Sequence, residues 1–123
     1  MNQQEAKNYI LEIAHIWMHG QNDQLEKYYA QNFEGNYYGN LIKFPDLVQR
    51  LNYMNLHQSQ RNIDLKDIIV DNSKIVIRFH YTAIDDIEGE IDTDTIAIYH
   101  LGNDNKIINA WAYADKTLKY TRD

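Results

Sequence analysis

The hydrophobic residues at the start of the chain recur with the period of an α-helix. Four of them are spaced four, three and four residues apart on one helix face: Ala6, Ile10, Ile13 and Trp17. Asn2 can cap this helix together with Glu5, and Gly20 suits the left-handed residue that follows a last helical turn. The pattern therefore predicts a helix from about Gln3 to His19.

Two further helices are predicted in the first half of the chain. The second runs from about Asp23 to Gln31 and buries three residues: Leu25, Tyr28 and Tyr29. The segment from Phe33 to Asn40 is rich in aromatic and turn-forming residues, which indicates a short strand or hairpin limb. Pro45 opens the third helix, where its missing N–H costs nothing, and this helix ends near Gln58. Its inward face consists of Leu47, Leu51 and Met54.

From Arg61 onward the hydrophobic period changes to two, which indicates β-strands. Four strands are predicted, at about Asn62–Val70, Lys74–Ala83, Glu90–Leu101 and Lys106–Ala114. The connections are too short for a crossover helix, so the strands should form an antiparallel meander. Helices first and sheet afterwards is the order of an α+β fold. We therefore expect residues 1–123 to form a single α+β domain.

Charged residues indicate which face of the predicted sheet is solvated. Arg78 and His80 have the parity to pair with the acids of the next strand, so both are assigned to the outer face. The acidic run is assigned to the same solvated surface: Asp85, Asp86, Glu88, Glu90, Asp92 and Asp94. The opposite parity should face inward: Ile75, Ile77, Phe79, Tyr81, Ile91, Thr93, Thr95, Ala97, Tyr99 and Leu101. Such a mixture is typical both of a pocket lining and of a slightly polar core, and both interpretations stay open.

Composition and charge disfavour several classes of function. The absence of cysteine excludes disulfides, thiolate metal sites and a cysteine nucleophile. The net charge of −6 disfavours nucleic acid and anionic membranes as partners. Serine occurs only at Ser59 and Ser73, and no nucleophile elbow, phosphate loop or dinucleotide fingerprint is present. The polar N-terminal residues and the lack of a long apolar run favour a cytoplasmic location.

The sequence offers two weak candidates for a metal site. His15 and His19 share one helix face, but that face is opposite the apolar stripe, so a solvated surface is the better interpretation. The alternating acids are spread too widely along a strand to hold one ion. We expect no metal and no cofactor.

The last predicted strand has two unequal faces. One is small and consists of Ala110, Ala112 and Ala114; the other carries Ile107, Asn109, Trp111, Tyr113 and Asp115. A carboxyl group in apolar surroundings has its pKa raised and can act as a general acid or base. In water, Asp115 would only end the strand, and the pattern does not decide between these two interpretations.

The order of the elements and the closing segment Asn-Lys-Ile-Ile-Asn-Ala-Trp-Ala-Tyr-Ala-Asp at 105–115 resemble the nuclear-transport-factor-2-like superfamily and, within it, the SnoaL-like polyketide cyclase group. The resemblance implies a cone-shaped fold, with three N-terminal helices packed into the concave side of a strongly bent antiparallel sheet around a mostly apolar cavity. It implies no single function, because the superfamily comprises cyclases, isomerases, hydrolases and non-catalytic binding modules.

The resemblance separates the candidate activities. The catalytic groups of the ketosteroid isomerases are missing, since their approximate positions hold Tyr37, Ile13 and Ala97. Asp115 resembles the acid–base Asp that the SnoaL-like cyclases carry near the end of the last strand. The resemblance therefore argues against steroid isomerisation and leaves a cyclase-type role for Asp115 as a hypothesis.

Two functions remain after these exclusions. The first is a dimeric binding domain for a small apolar molecule, with a pocket lined by Trp17, Tyr37, Leu51, Met54, Phe79, Tyr81 and Tyr99. The alternative is a small lyase, isomerase or cyclase that acts on an apolar carbonyl compound and uses Asp115 as its general acid or base. A homodimer is expected through an apolar patch on the outer sheet surface: Ile96, Ile98, His100, Trp111 and Tyr113.

Overall fold

The computed structural model describes residues 1–116. The helical elements are α1 (Gln3–His19), a short 3-10 helix (Asn22–Lys27) and α2 (Phe44–His57). The strands are β1 (Tyr29–Tyr37), β2 (Asn40–Lys43), β3 (Gln58–Asp71), β4 (Lys74–Asp85), β5 (Gly89–Leu101) and β6 (Ile107–Ala114). The first helix has the predicted bounds, because Asn2 and Glu5 form a reciprocal capping box and Gly20 ends the helix with a φ of 68°.

The strands form one six-stranded sheet in the order β2-β1-β6-β5-β4-β3. Strands β3 to β6 are the predicted antiparallel meander. Strand β1 lies parallel to β6, so the sheet is mixed and not wholly antiparallel as the sequence predicted. The parallel pair is possible because the long segment from β2 through β5 connects the two strands. The α+β class and the packing of the helices against one bent sheet are confirmed.

The second predicted helix is shorter than expected. It is a 3-10 helix that ends at Lys27, with the Tyr28 N–H donating to the Leu25 carbonyl at 3.1 Å. The Tyr28 carbonyl in turn accepts a bond of 2.7 Å from the N–H of Ile107. This bond to the last strand draws the chain into the sheet, so Tyr29 already belongs to β1 and not to a helix.

Alternation along the strands separates a buried face from a solvated one, as the sequence predicts. On β5 every predicted inward residue is buried, from Ile91 to Leu101. On β4 Phe79 is half-buried, whereas Ile75, Ile77 and Tyr81 are buried. These side chains form one core with the apolar residues of α1 and α2. Register shifts in β3 bend its pairing with β4, which lets the sheet curve around the helices.

The outer face carries the predicted ion pairs. The His80 ring lies 2.5 Å from Asp92 and 2.9 Å from Asp94, and the Arg78 guanidinium lies 3.6 Å from Asp94, all on the next strand as predicted. Arg78 also pairs with Asp67 of β3 at 2.7 Å, which the sequence did not predict. Asp85, which the sequence assigned to this solvated surface, is instead buried at 2 % exposure. The reason is that β4 continues to Asp85, so this residue shares the inward parity of Tyr81.

The pairing of His80 predicts a pH-dependent contribution to stability. Its pKa is raised, first by the hydrogen bond with Asp94 and further by the charge of Asp92. Asp64 also faces it from β3, where its register partner is His80. Because the folded-state pKa is raised, the charged ring stabilises the fold at pH values below the unfolded pKa of about 6.5. This contribution disappears as the pH rises through the folded-state pKa.

We expect the difference in unfolding free energy between wild type and His80→Gln to be larger at about pH 5.5 than at about pH 8.5. Urea unfolding at both pH values measures it, and an NMR titration of the ring checks the raised pKa. Asp94→Asn is the matched control, since it removes the largest cause of the shift. A difference that is independent of pH would contradict the assigned pairing.

Candidate functional site

A cavity of about 130 Å³ lies between the helices and the inner face of the sheet. Residues from α1, α2, β1, β3, β4, β5 and β6 line it, so every main layer of the fold contributes to its wall. Most of these side chains are apolar, including Ile13, Ile63 and Ile77. Trp17, Tyr37 and other half-buried residues belong to the same wall, which means that the cavity communicates with solvent on that side.

Six of the seven predicted pocket residues lie on this one wall: Trp17, Tyr37, Met54, Phe79, Tyr81 and Tyr99. The seventh, Leu51, is fully buried in the core and does not line the cavity. Leu51 and Met54 are three residues apart on α2, so one helix face holds both. Sequence periodicity identified that face but not which part of it borders an open space.

The cavity holds several phenol groups that keep their protons at neutral pH. Burial raises the pKa of Tyr29 to about 12, although donors from Trp17 and Tyr99 oppose this shift. The Trp17 indole N–H donates to the Tyr29 oxygen at 3.3 Å. Burial likewise raises the pKa of Tyr99 and of Tyr81 above the ordinary range. These phenols can orient a ligand by hydrogen bonds, but they cannot act as bases near neutral pH.

One hydroxyl group beside the cavity is unsatisfied. Thr93 lies on β5 opposite Tyr81 of β4, lines the cavity and is 1 % exposed. Within residues 1–116 its Oγ1 has no hydrogen-bond partner, and it is the one buried side-chain atom of this kind. A buried hydroxyl without a partner is unfavourable, so its position beside an open space is significant.

The single charged side chain of the cavity wall, as far as residues 1–116 form it, is Arg50. It is half-buried, and its guanidinium lies 5.2 Å from the centre of the Tyr37 ring, within the range of a cation–π contact. The pKa of the neighbouring Tyr38 is raised, mainly by burial. The positive charge of Arg50 opposes this shift, and the negative charge of Asp115 adds to it. Both charges therefore act on the same tyrosine: Arg50 belongs to the cavity wall, and Asp115 does not.

Asp115 itself lies outside the cavity. Its side chain is exposed, and its Oδ1 accepts a bond of 3.1 Å from the backbone N–H of Asp94. Odd-numbered residues at this end of β6 face outward, as the exposed Trp111 and Tyr113 do, whereas Ala112 and Ala114 are buried. The expectation that Asp115 is an ionisable group of the cavity is corrected by this parity. Its catalytic role stays a prediction without a position in the cavity wall to support it.

A buried polar network supports the end of the cavity wall at Tyr81. The Tyr81 hydroxyl donates to Gln58 Oε1 at 2.5 Å, and Gln58 Nε2 donates to Asp85 Oδ2 at 3.2 Å. The same carboxylate accepts from the Tyr53 hydroxyl at 3.4 Å. This network joins α2 to β3 and β4 and fixes the orientation of the Tyr81 ring.

Sequence reasoning missed several residues of the wall. Tyr29 was expected in a helix, and Tyr38 and Arg50 were not identified as site residues. Thr93 and Thr95 were expected to face inward, which is correct, but they were not assigned to the pocket. Their inward parity on a strand that otherwise buries apolar side chains was the available signal.

Metal and membrane features are absent from the part of the chain that the structure describes. No group of three or more His, Cys, Asp or Glu side chains among residues 1–116 is arranged to hold a metal ion. The rings of His15 and His19 lie side by side on an exposed face, with their centres 4.2 Å apart and their planes inclined by 45°. None of the described helices is both long enough and apolar enough to cross a membrane.

Comparisons with known proteins identify structural neighbours only. No protein-family model matches the chain, and no curated protein sequence matches it. PrhC from Penicillium brasilianum superposes with a TM-score of 0.80 at 11 % identity, over 92 % of this chain and 82 % of its own. TsrD from Streptomyces laurentii gives 0.79 at 10 % identity, over 94 % and 91 %. A SnoaL-like polyketide cyclase from Agrobacterium tumefaciens gives 0.76 at 16 % identity, over 89 % and 91 %.

The superpositions with these three neighbours cover 89 to 94 % of this chain. The chain therefore has the same fold as this SnoaL-like polyketide cyclase. At these identities the likeness concerns the fold, and the function has to be argued from the cavity.

Proposed function

We propose that this SnoaL-like domain binds a small, mostly apolar molecule in the cavity between its helices and its sheet. The observation that carries the proposal is an open space inside an otherwise closely packed core, walled by apolar and aromatic side chains with a few neutral polar groups. An ordinary core of this size has few voids larger than a water molecule. The similarity to a SnoaL-like polyketide cyclase supports a small organic ligand.

The size of the cavity limits the ligand. Its volume of about 130 Å³ is similar to that of engineered apolar cavities of roughly 150 Å³ that take up benzene. A molecule with one or two rings is therefore the appropriate probe. Aromatic walls such as Phe79 and Tyr99 suit flat rings, because offset and edge-to-face contacts add to simple burial.

Binding is favoured over proton-transfer catalysis by the ionisable groups present. Of the described residues on the wall, Arg50 is a cation and the buried phenols keep their protons, so none supplies a base at neutral pH. The alternative activity depends on Asp115, whose charge reaches Tyr38 but whose side chain is exposed. If Asp115 were catalytic, Asp115→Asn would abolish turnover of an apolar carbonyl compound without affecting its binding.

Methionine methyl groups provide a direct test of binding. The chain has three methionines, of which Met54 lines the cavity, Met18 lies next to it and Met1 is exposed. In protein labelled at the methionine methyl groups, titration with the bicyclic ketone 1-indanone should shift the Met54 signal and leave Met1 unchanged. An unchanged Met54 signal at millimolar 1-indanone would contradict the proposal.

We also propose that the domain forms a homodimer through the outer sheet surface. Trp111 and Tyr113 stack there with ring centres 6.0 Å apart, and both are exposed at 41 % and 57 %. Ile96 is exposed beside them, since its register partner is Tyr113. Ile98 and His100 are half-buried on the same face. An apolar patch of this kind commonly marks an interface.

Sedimentation equilibrium tests the dimer. We expect the wild type to be dimeric at micromolar concentration and Trp111→Lys to be monomeric, because the charge would have to be desolvated in the interface. Leu56→Lys is the matched control, since Leu56 is 77 % exposed on α2, away from the sheet. A wild type that sediments only as monomer would contradict this proposal.

A further inference from the structure

In the unliganded protein, Thr93 makes the fold less stable than a valine of the same shape would. Its side chain is buried at 1 % exposure, and its hydroxyl has no hydrogen-bond partner in residues 1–116. Removing a hydroxyl from water without a compensating bond is unfavourable, whereas the isosteric methyl group of valine carries no such penalty. A hydroxyl at this position therefore calls for an explanation outside the folding of the chain.

The surroundings of Thr93 limit what could satisfy its hydroxyl. Its cross-strand partner Tyr81 already donates its own proton to Gln58. The charged Arg50 lies beside Tyr37 of β1, which is separated from β5 by β6: Tyr37 pairs with Ala112, and Ala112 pairs with Ala97, four residues from Thr93. No charged side chain of the described cavity wall belongs to β4 or β5. A charged ligand group beside Thr93 would thus lose its hydration without gaining an opposite charge.

We propose that the Thr93 hydroxyl binds a neutral oxygen of the ligand, a carbonyl or hydroxyl group on an otherwise apolar ring system. This inference rests on the proposed binding function and adds the class of ligand and its orientation. The oxygen lies towards β4 and β5, and the apolar rings lie against Met54, Phe79 and Ala97. Because both partners are neutral, the hydrogen bond needs no opposite charge nearby. It adds modestly to the affinity and fixes the orientation of the ligand.

A pair of matched probes and a pair of matched variants test this assignment. The probes are 1-indanone and indane, which share the same bicyclic frame and differ only in the carbonyl oxygen. The variants are Thr93→Val and the control Thr95→Val, two positions along β5 on the same wall. Dissociation constants come from the Met54 methyl signal. We expect the preference for 1-indanone over indane to fall about 3- to 10-fold in Thr93→Val and to change little in Thr95→Val.

The unliganded proteins provide a second readout. Thr93→Val should unfold at the same temperature as wild type or at a higher one, because it removes an unsatisfied buried hydroxyl. A variant that is more stable but binds the ketone less well would separate a ligand-binding role from a structural one. A lower unfolding temperature would show that the hydroxyl is bonded within the fold, and it would overturn the inference.

The outcomes distinguish this inference from the proposed function. If both probes bind and the preference is the same in wild type and Thr93→Val, the ligand-binding role of Thr93 is overturned while the binding function stands. If neither probe binds the wild type, the proposed function fails and the role of Thr93 fails with it. Loss of the preference in both variants would also overturn the specific assignment to Thr93.

Discussion

Replacement of Ala97 by leucine should weaken the binding of both 1-indanone and indane at least about 10-fold while the fold is retained. Ala97 is 1 % exposed, lies in the middle of β5 and lines the cavity. Its neighbours across the sheet are Ile77 and Ala112, which line the same space. A leucine here extends three carbon atoms into the volume that the ligand would occupy, so the ligand has to be displaced or distorted.

Ala110→Leu is the matched control for this prediction. Ala110 is also 1 % exposed on the inner face, where it pairs with Tyr99, but it does not line the cavity. Overpacking a filled region costs about 1–3 kcal/mol, whereas filling a cavity is neutral or stabilising. Urea unfolding should therefore show a clear loss of stability for Ala110→Leu only. Equal destabilisation by both variants would contradict the presence of an open cavity at Ala97.

Asp85→Ala is expected to lower the free energy of unfolding by about 3–5 kcal/mol, because its carboxylate is the common acceptor of a buried network. Oδ1 accepts from the backbone N–H groups of Ile87 at 2.9 Å and Glu88 at 3.0 Å. Oδ2 accepts from Gln58 at 3.2 Å and from Tyr53 at 3.4 Å. Removing the carboxylate takes this acceptor away from the buried Gln58 and Tyr53 side chains and from the two backbone N–H groups of the turn between β4 and β5, which loosens that turn.

The adjacent acid serves as the control for Asp85. Asp86 is exposed and pairs with His57 at 2.9 Å, so Asp86→Ala should change the unfolding free energy by less than about 1 kcal/mol. The loss of unfolding free energy in Asp85→Asn should lie between those of Asp85→Ala and Asp86→Ala, since the amide keeps one oxygen as an acceptor. Urea denaturation of the three variants at neutral pH measures the order. Equal effects of Asp85→Ala and Asp86→Ala would show that the network does not stabilise the fold.

Most of the fold followed from local patterns in the sequence. The capping residues Asn2 and Glu5 defined the start of α1, and the period of two defined the meander and its inward face. The parallel pairing of β1 with β6 was not predictable in this way. It joins segments far apart in the chain, and hydrophobic alternation reports which face is buried but not which strand is the neighbour.

The candidate site was predictable only in part, for a similar reason. Parity placed Phe79, Tyr81 and Tyr99 on the inner face, and all three line the cavity. Leu51 has the same periodicity as Met54 but is packed in the core, since the position of a void depends on how several elements meet. For Asp85 the same parity rule would have predicted burial if the end of β4 had been placed two residues later.

The position of a bound probe shows directly whether the cavity between the helices and the sheet is the binding site. Intermolecular nuclear Overhauser effects between 1-indanone and labelled methyl groups report which side chains lie within a few ångströms of it. We expect contacts with Met54, Ile77 and Ala97, which line the cavity from α2, β4 and β5. Contacts confined to Ile96 on the outer sheet surface, or no contacts at all, would contradict it.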